Sequence, residues 1–233
     1  MSTKCFLIGD SRVRALSQED IPVAKFWSIP GAKLYDLYDL IDGELAACIE
    51  EADDSPLVYV MAGICNLTYR IKRRCKEGLI DEVIVQPKVA QREIVDSTLE
   101  AVDDMQRFIS RQGGIPVITT IFPMAIADWN QHRLNSGKTV TLTKADSYAE
   151  MQCYLEDMLD EVNTAIIETN RKNKVLTPLM HKCLEHNRGR NKTVTKKYNL
   201  LIDGCHPSPK LAKAIGKSLS KTIVLNRARV NSD

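Results

Sequence analysis

The sequence predicts a doubly wound α/β domain, with a mostly parallel sheet of about five strands between helices. Three observations carry this expectation. Short, nearly continuous apolar runs alternate with longer segments whose apolar residues recur at helical spacing. The first, third and fourth of these runs lack the inside–outside alternation of a half-exposed strand, as strands covered on both faces do. The chain has 233 residues and neither an internal repeat nor a low-complexity linker, so it is read as a single domain over 1–233.

Taken in order, the expected strands are Cys5–Gly9 (CFLIG), Val23–Ile29, Leu57–Ala62 (LVYVMA), Ile115–Phe122 (IPVITTIF) and a weak fifth at Val175–Leu176. Helices are expected over Tyr35–Ile49, over Ala90–Arg111 and over Tyr148–Asn170. The second carries Ile94, Leu99, Val102, Met105 and Ile109 on one face and ends at Gln112-Gly113-Gly114. A last helix begins near Ser208-Pro209, a capping serine with proline in the first turn. Strands alternating with helices in this way imply βαβ units and one sheet. Two stretches fit that alternation poorly. Residues 69–86 are expected to form a small hairpin insertion, and 128–143 a polar loop or lid. Asn187–Lys197 is expected to be a mobile loop.

A hydrophobic content of 44% suffices for a sizeable core, and a net charge of +2 argues against a general polyanion binder. The charge is uneven, however. Positive residues concentrate in 69–76 (YRIKRRCK) and 181–197 (HKCLEHNRGRNKTVTKK), while 150–161 is acidic. These basic segments either form solvated faces or contact nucleic acid. There is no apolar run of about 18 residues, so no membrane span is expected, and no secretory leader pattern at the N-terminus. Seven cysteines, an odd number without small-domain disulfide spacing, then suggest reduced thiols in an intracellular protein, cytoplasmic or nuclear.

In an open α/β sheet, ligands bind beyond the carboxyl ends of the strands. The residues at those ends are Asp10-Ser11-Arg12, Pro30-Gly31, Gly63-Ile64-Cys65-Asn66, Pro123 and, after the weak fifth strand and a long loop, Asp203-Gly204-Cys205-His206. Ser11 needs a base to become a nucleophile, and His206 can serve with Asp203 orienting its ring. Backbone N–H groups of Ser11 and Gly31 and the Asn66 amide could then receive a developing oxyanion. Arg12, beside Ser11, either begins an exposed helix face or draws an anionic substrate. The residues His181, Cys183, His186, Cys205 and His206 lack the paired spacing of a zinc site, so no metal is expected. Neither G-x-x-x-x-G-K-[ST], G-x-G-x-x-G nor G-x-S-x-G occurs.

GDS at 9–11, the isolated Gly31, GICN at 63–66 and DGCHPS at 203–208 resemble, in family order, the four blocks of the SGNH/GDSL hydrolase superfamily. The resemblance spans residues 9–208. An intracellular esterase module of the kind found in some retrotransposon open reading frames is similar as well. The resemblance implies a flavodoxin-like, three-layer α/β/α fold and cofactor-free hydrolysis of a small acyl ester. By it Ser11 is the nucleophile, His206 the base and Asp203 its orienting acid, with Gly31 and Asn66 in the oxyanion hole. One block departs from the pattern. The family has G-x-N-D, whereas here Cys65 stands two residues after Gly63 and Asn66 stands third. Either Asn66 reaches the oxyanion through a longer loop, or Cys65 replaces the amide and Asn66 takes the place of the usual Asp. The alternative to an enzyme is a binding module on the same fold, contacting nucleic acid or protein through the basic segments. The sequence leaves the oligomeric state open.

Overall fold

The computed structural model describes residues 4–16, 21–23, 25–52, 54–76, 78–86, 88–139, 145–188 and 193–232. Its centre is a parallel four-stranded sheet of β1 (Cys5–Gly9), β2 (Lys25–Ser28), β3 (Leu57–Met61) and β6 (Ile115–Ile118), in the order β2-β1-β3-β6. Every residue of β1 and β3 is buried, which accounts for their unbroken apolar sequences. Successive side chains of these strands enter opposite cores. Phe6, Ile8, Val58 and Val60 meet the helical run 34–50 and the helices Lys88–Arg111 and Ala145–Lys172. Cys5, Leu7, Leu57 and Tyr59 meet the helix Pro209–Val230 and the turn Met180–Leu184. The result is a three-layer α/β/α arrangement.

The run 34–50 adapts to its buried face. Leu37, Ile41, Leu45 and Ile49 repeat every fourth residue, and in a regular α-helix each such step drifts about 40° around the axis. A π-helical turn at Ile41–Leu45, wider than the α turns around it, offsets that drift and keeps the four side chains against the sheet. The C-terminal helix starts as expected, with Ser208 as the cap accepting from Leu211 N and Pro209 in the first turn.

The chain leaves β1 for β2 on one side and returns for β3 on the other. The strand order therefore reverses beside β1, and the crevice beyond its carboxyl end is the place where such sheets bind ligands. Gly9 makes that corner possible. A Cβ there would lie 2.2 Å from the Met61 carbonyl oxygen, the same oxygen that accepts from Asp10 N.

Residues 69–86 contain the expected hairpin, β4 (Tyr69–Cys75) against β5 (Gly78–Ile84), with Tyr69 opposite Ile84. Three expectations fail. Val175–Leu176 is not a strand: Val175 N–H donates to Asn170 O, and the Leu176 backbone goes to a side chain, with Leu176 N–H donating to Asn226 Oδ1 and Asn226 Nδ2 donating to Leu176 O. Pro178, lacking an N–H, can only accept, and does so from Thr120 and Met180. Residues 128–143 are not a loop throughout, because Ile126–Asn135 is a helix. It docks through the Asn130 amide, which accepts from Val83 N and donates to Val83 O at 2.8 Å each. Positions 140–143 of that expected lid lie outside the described residues. Finally, most of 187–197 pairs as the two-stranded ribbon β7 (Glu185–Arg188) and β8 (Thr193–Lys196), with 189–192 outside the described residues.

Candidate active site

The seam after β1 is a single 3₁₀ turn, Ser11–Ala15, capped by Asp10 accepting from Arg12 N at 2.9 Å. Ser11 is only partly buried, whereas Asp10 and Arg12 are each 1% exposed. Arg12 donates from Nε and Nη2 to the Asp10 carboxylate and from Nη1 to Phe122 O at 2.6 Å. Burial alone would weaken the Arg12 guanidinium's hold on its proton, but the Asp10 carboxylate beside it raises its pKa instead. The Arg12 guanidinium is thus spent beneath the corner and is not among the residues that line the cavity above. The pair locks the seam that presents Ser11.

Ser11 Oγ lies 2.9 Å from His206 Nε2, and His206 Nδ1 lies 2.7 Å from Asp203 Oδ2. The D-x-x-H spacing closes this arrangement locally. Asp203 Oδ1 accepts from the backbone N–H groups of Cys205 and His206, which turns the histidine back over its own acid. The loop is fastened to the rest of the site by Ala125 N donating to Gly204 O at 2.7 Å. Burial would push the Asp203 carboxyl up, but the hydrogen bonds from the His206 ring and from those two amides hold it at about 2. An ionised Asp203 can only accept, so Nδ1 carries the hydrogen. In the neutral ring Nε2 then presents its lone pair to the Ser11 hydroxyl.

Gly31 sits in the Ile29–Ala32 turn, with Pro30 before it, a φ of 72° and Ala32 N bonded back to Ile29 O. No atom would crowd a Cβ there, so the backbone conformation alone favours glycine. Ile29 N donates to Gly9 O, which sets this turn beside the seam. The N–H groups of Ser11 and Gly31 have no acceptor among the described residues. At the GICN block, Asn66 Oδ1 accepts from Leu34 N at 3.0 Å and so ties the β3 end to the 34–50 run. Cys65, and not Asn66, lines the cavity with Ser11. Burial pushes the Cys65 thiol up against the pull of Arg12, Lys33 and Arg70. Cys205, also in the wall, is pushed up to about 12 by burial, so both sulfurs remain thiols.

The cavity measures about 550 Å³, a volume suited to a small organic ligand, and Ser11, Gly31, Cys65 and His206 share its wall. Trp129 packs near the base, its ring centroid 6.1 Å from that of His206. A larger hollow of about 660 Å³ between 42–56 and 111–113 contains no such hydrogen-bonded chain. Among the described residues no group of three or more His, Cys, Asp or Glu could hold a metal, and no helix is long and apolar enough to cross a membrane. Sequence reasoning missed Trp129, Lys33 and Arg70 in the wall. Arg70 lay in plain view within YRIKRRCK, but the other two carried no pattern.

No family model matches the chain, and no curated protein matches it. Solved structures do. A GDSL-like lipase from Bacteroides thetaiotaomicron VPI-5482 is 14% identical with a TM-score of 0.58, over 96% of this chain and 88% of that one. The lipase Lip_vut3 from a goat rumen metagenome is 10% identical with a TM-score of 0.57, over 95% of this chain and 97% of that one. The chain has the SGNH/GDSL hydrolase fold.

Proposed function

From that fold and the geometry at its carboxyl edge, we propose that the protein is a serine hydrolase cleaving a carboxylic ester through an acyl-enzyme. The observation that carries the reading is the unbroken chain Ser11 Oγ–His206 Nε2–Asp203. In the first step Ser11 Oγ attacks the ester carbonyl carbon and its proton passes to His206 Nε2. The bond to the alcohol oxygen then breaks, and His206 returns the proton to that oxygen. Water attacks the acyl-Ser11 carbonyl by the same route, releasing the acid and restoring the hydroxyl. Asp203 keeps the ring in the tautomer that accepts from serine and stabilises the imidazolium. The free N–H groups of Ser11 and Gly31 receive the oxyanion, with the Cys65 thiol at the position of a third donor.

This reading needs no metal or organic cofactor. It is preferred to the binding-module alternative because binding alone would not require an ionised Asp203 to fix the histidine tautomer toward Ser11. The test is hydrolysis of p-nitrophenyl acetate. The expected result is turnover by the wild type that falls at least about 10³-fold in Ser11→Ala at unchanged thermal stability. Absence of turnover in the wild type, or turnover retained in Ser11→Ala, would remove the reading.

A further inference from the structure

The cavity wall contains two cationic side chains, Lys33 and Arg70, and no carboxylate among the described residues that line it. The Lys33 ammonium has no acidic partner among the described residues; it lies over the Tyr35 ring, 5.6 Å from its centroid. Arg70 is bonded to Asp81 at 2.7 and 2.9 Å, but that buried carboxylate also pairs with Arg133. Asp81 is thus shared between two guanidinium groups, with Asp203 a further carboxylate that acts on Arg133. Arg133 is pulled below its ordinary pKa by burial and by the charge of Arg70. Both lie over the Trp129 ring, Arg70 Cζ at 5.9 Å and Arg133 Cζ at 5.5 Å from its centroid, so Arg70 is braced one aromatic ring from His206. Lys72, Arg73 and Arg74 continue outward along β4, exposed and without acidic partners among the described residues.

We infer that the substrate is an ester carrying an anionic group, held by Lys33 and Arg70 while its carbonyl faces Ser11. The inference rests on the serine-hydrolase reading and narrows its substrate class. It also puts the anion contact elsewhere than at Arg12, one of the two roles the sequence left open for that residue. A wall that carries two cations and no carboxylate of its own attracts an anion, and in a concave site the field is screened less than on an open surface. The contact is remote from the reacting bond, so it lowers KM more than it raises kcat.

The anion can belong to the acyl part or to the alcohol, and two pairs of esters separate these. p-Nitrophenyl hemisuccinate is compared with its neutral isostere p-nitrophenyl 4-methylpentanoate, and 4-acetoxybenzoate with its methyl ester. Each rate is divided by that ester's uncatalysed hydrolysis. The expected result is a preference for the charged member of at least one pair of about tenfold in kcat/KM, mostly in KM. The preference should shrink on raising salt from about 20 to 500 mM, and at least threefold in Lys33→Gln or Arg70→Gln. No preference in either pair, or a preference that survives Lys33→Gln/Arg70→Gln, overturns the inference. A wild type that hydrolyses none of the four esters refutes the hydrolase reading instead. Calorimetric binding of both ester pairs to Ser11→Ala protein then decides the anion site alone: tighter binding of the charged member of either pair supports it, and equal binding within both overturns it.

Discussion

On the serine-hydrolase reading, replacing Cys65 with asparagine should raise the turnover rate. The two backbone donors proposed for the oxyanion, Ser11 N–H and Gly31 N–H, have no acceptor among the described residues. The cavity wall beside them is completed by the Cys65 thiol, which burial keeps protonated and which is a weak donor. A neutral amide donor in an oxyanion hole contributes about 2.7 kcal/mol or more to the transition state, on the order of 100-fold in rate. Ordering the longer side chain takes back about 0.5–1.5 kcal/mol. The net expectation for Cys65→Asn is a rise in kcat of about ten- to fortyfold on p-nitrophenyl acetate, with KM within about threefold. The companion variant is Asn66→Ala. Its loss leaves Leu34 N–H without an acceptor, which should lower stability by about 1–2 kcal/mol in urea unfolding while kcat falls less than about fivefold. A Cys65→Asn protein that folds normally but is no faster, or an Asn66→Ala protein that folds normally and loses about 100-fold in kcat, would show that Asn66 supplies the donor and that the reasoning is wrong.

The Asp203 carboxyl is held at about 2 against an ordinary 3.8, so its bonds stabilise the fold fully above the unfolded value; that contribution is lost as pH falls from about 4 toward 2, because the unfolded chain takes up the proton first. Wild-type thermal stability should therefore decline more steeply over that window than that of Asp203→Asn, and parallel profiles would count against the assignment. Asp10→Asn should cost about 3–5 kcal/mol, since it strands the buried Arg12 charge, and the double replacement Asp10→Leu/Arg12→Met should recover most of that loss in denaturant unfolding. Asn130→Ala removes both bonds to the Val83 backbone at once, so a loss of about 2–4 kcal/mol is expected, read as a lowered midpoint in urea.

What the sequence made legible, and what it concealed, divides along physical lines. The strands β1 and β3 and the three long helices were readable because burial on two faces, or on one helical stripe, leaves a periodic apolar trace. The Ser11, Gly31 and His206 blocks were readable because turn geometry, a strained corner and a D-x-x-H closure each restrict residue type locally. The misses share a different cause, in which a polar side chain does work usually left to backbone or to apolar packing. Asn226 takes the backbone groups of Leu176, so an apolar dipeptide runs beside the sheet without becoming a strand. Asn130 seats the helix Ile126–Asn135, whose sequence therefore looks like a polar loop. Arg12 read as an exposed helix charge or an anion contact because nothing local reveals that Asp10, two residues earlier, is buried with it. The GICN ambiguity has no answer along the chain, because it turns on spatial neighbours: Asn66 is tied to Leu34 and the cavity is lined by Cys65.

The central claim is that His206, set by Asp203, activates Ser11 for attack on an acyl carbon. Its most direct test is labelling with a fluorophosphonate, followed by peptide mass mapping. The account expects a single adduct on Ser11, absent in Ser11→Ala and formed at least about 100-fold more slowly in His206→Ala. Wild-type protein that takes up no label, or Ser11→Ala protein labelled as readily as the wild type, would contradict it.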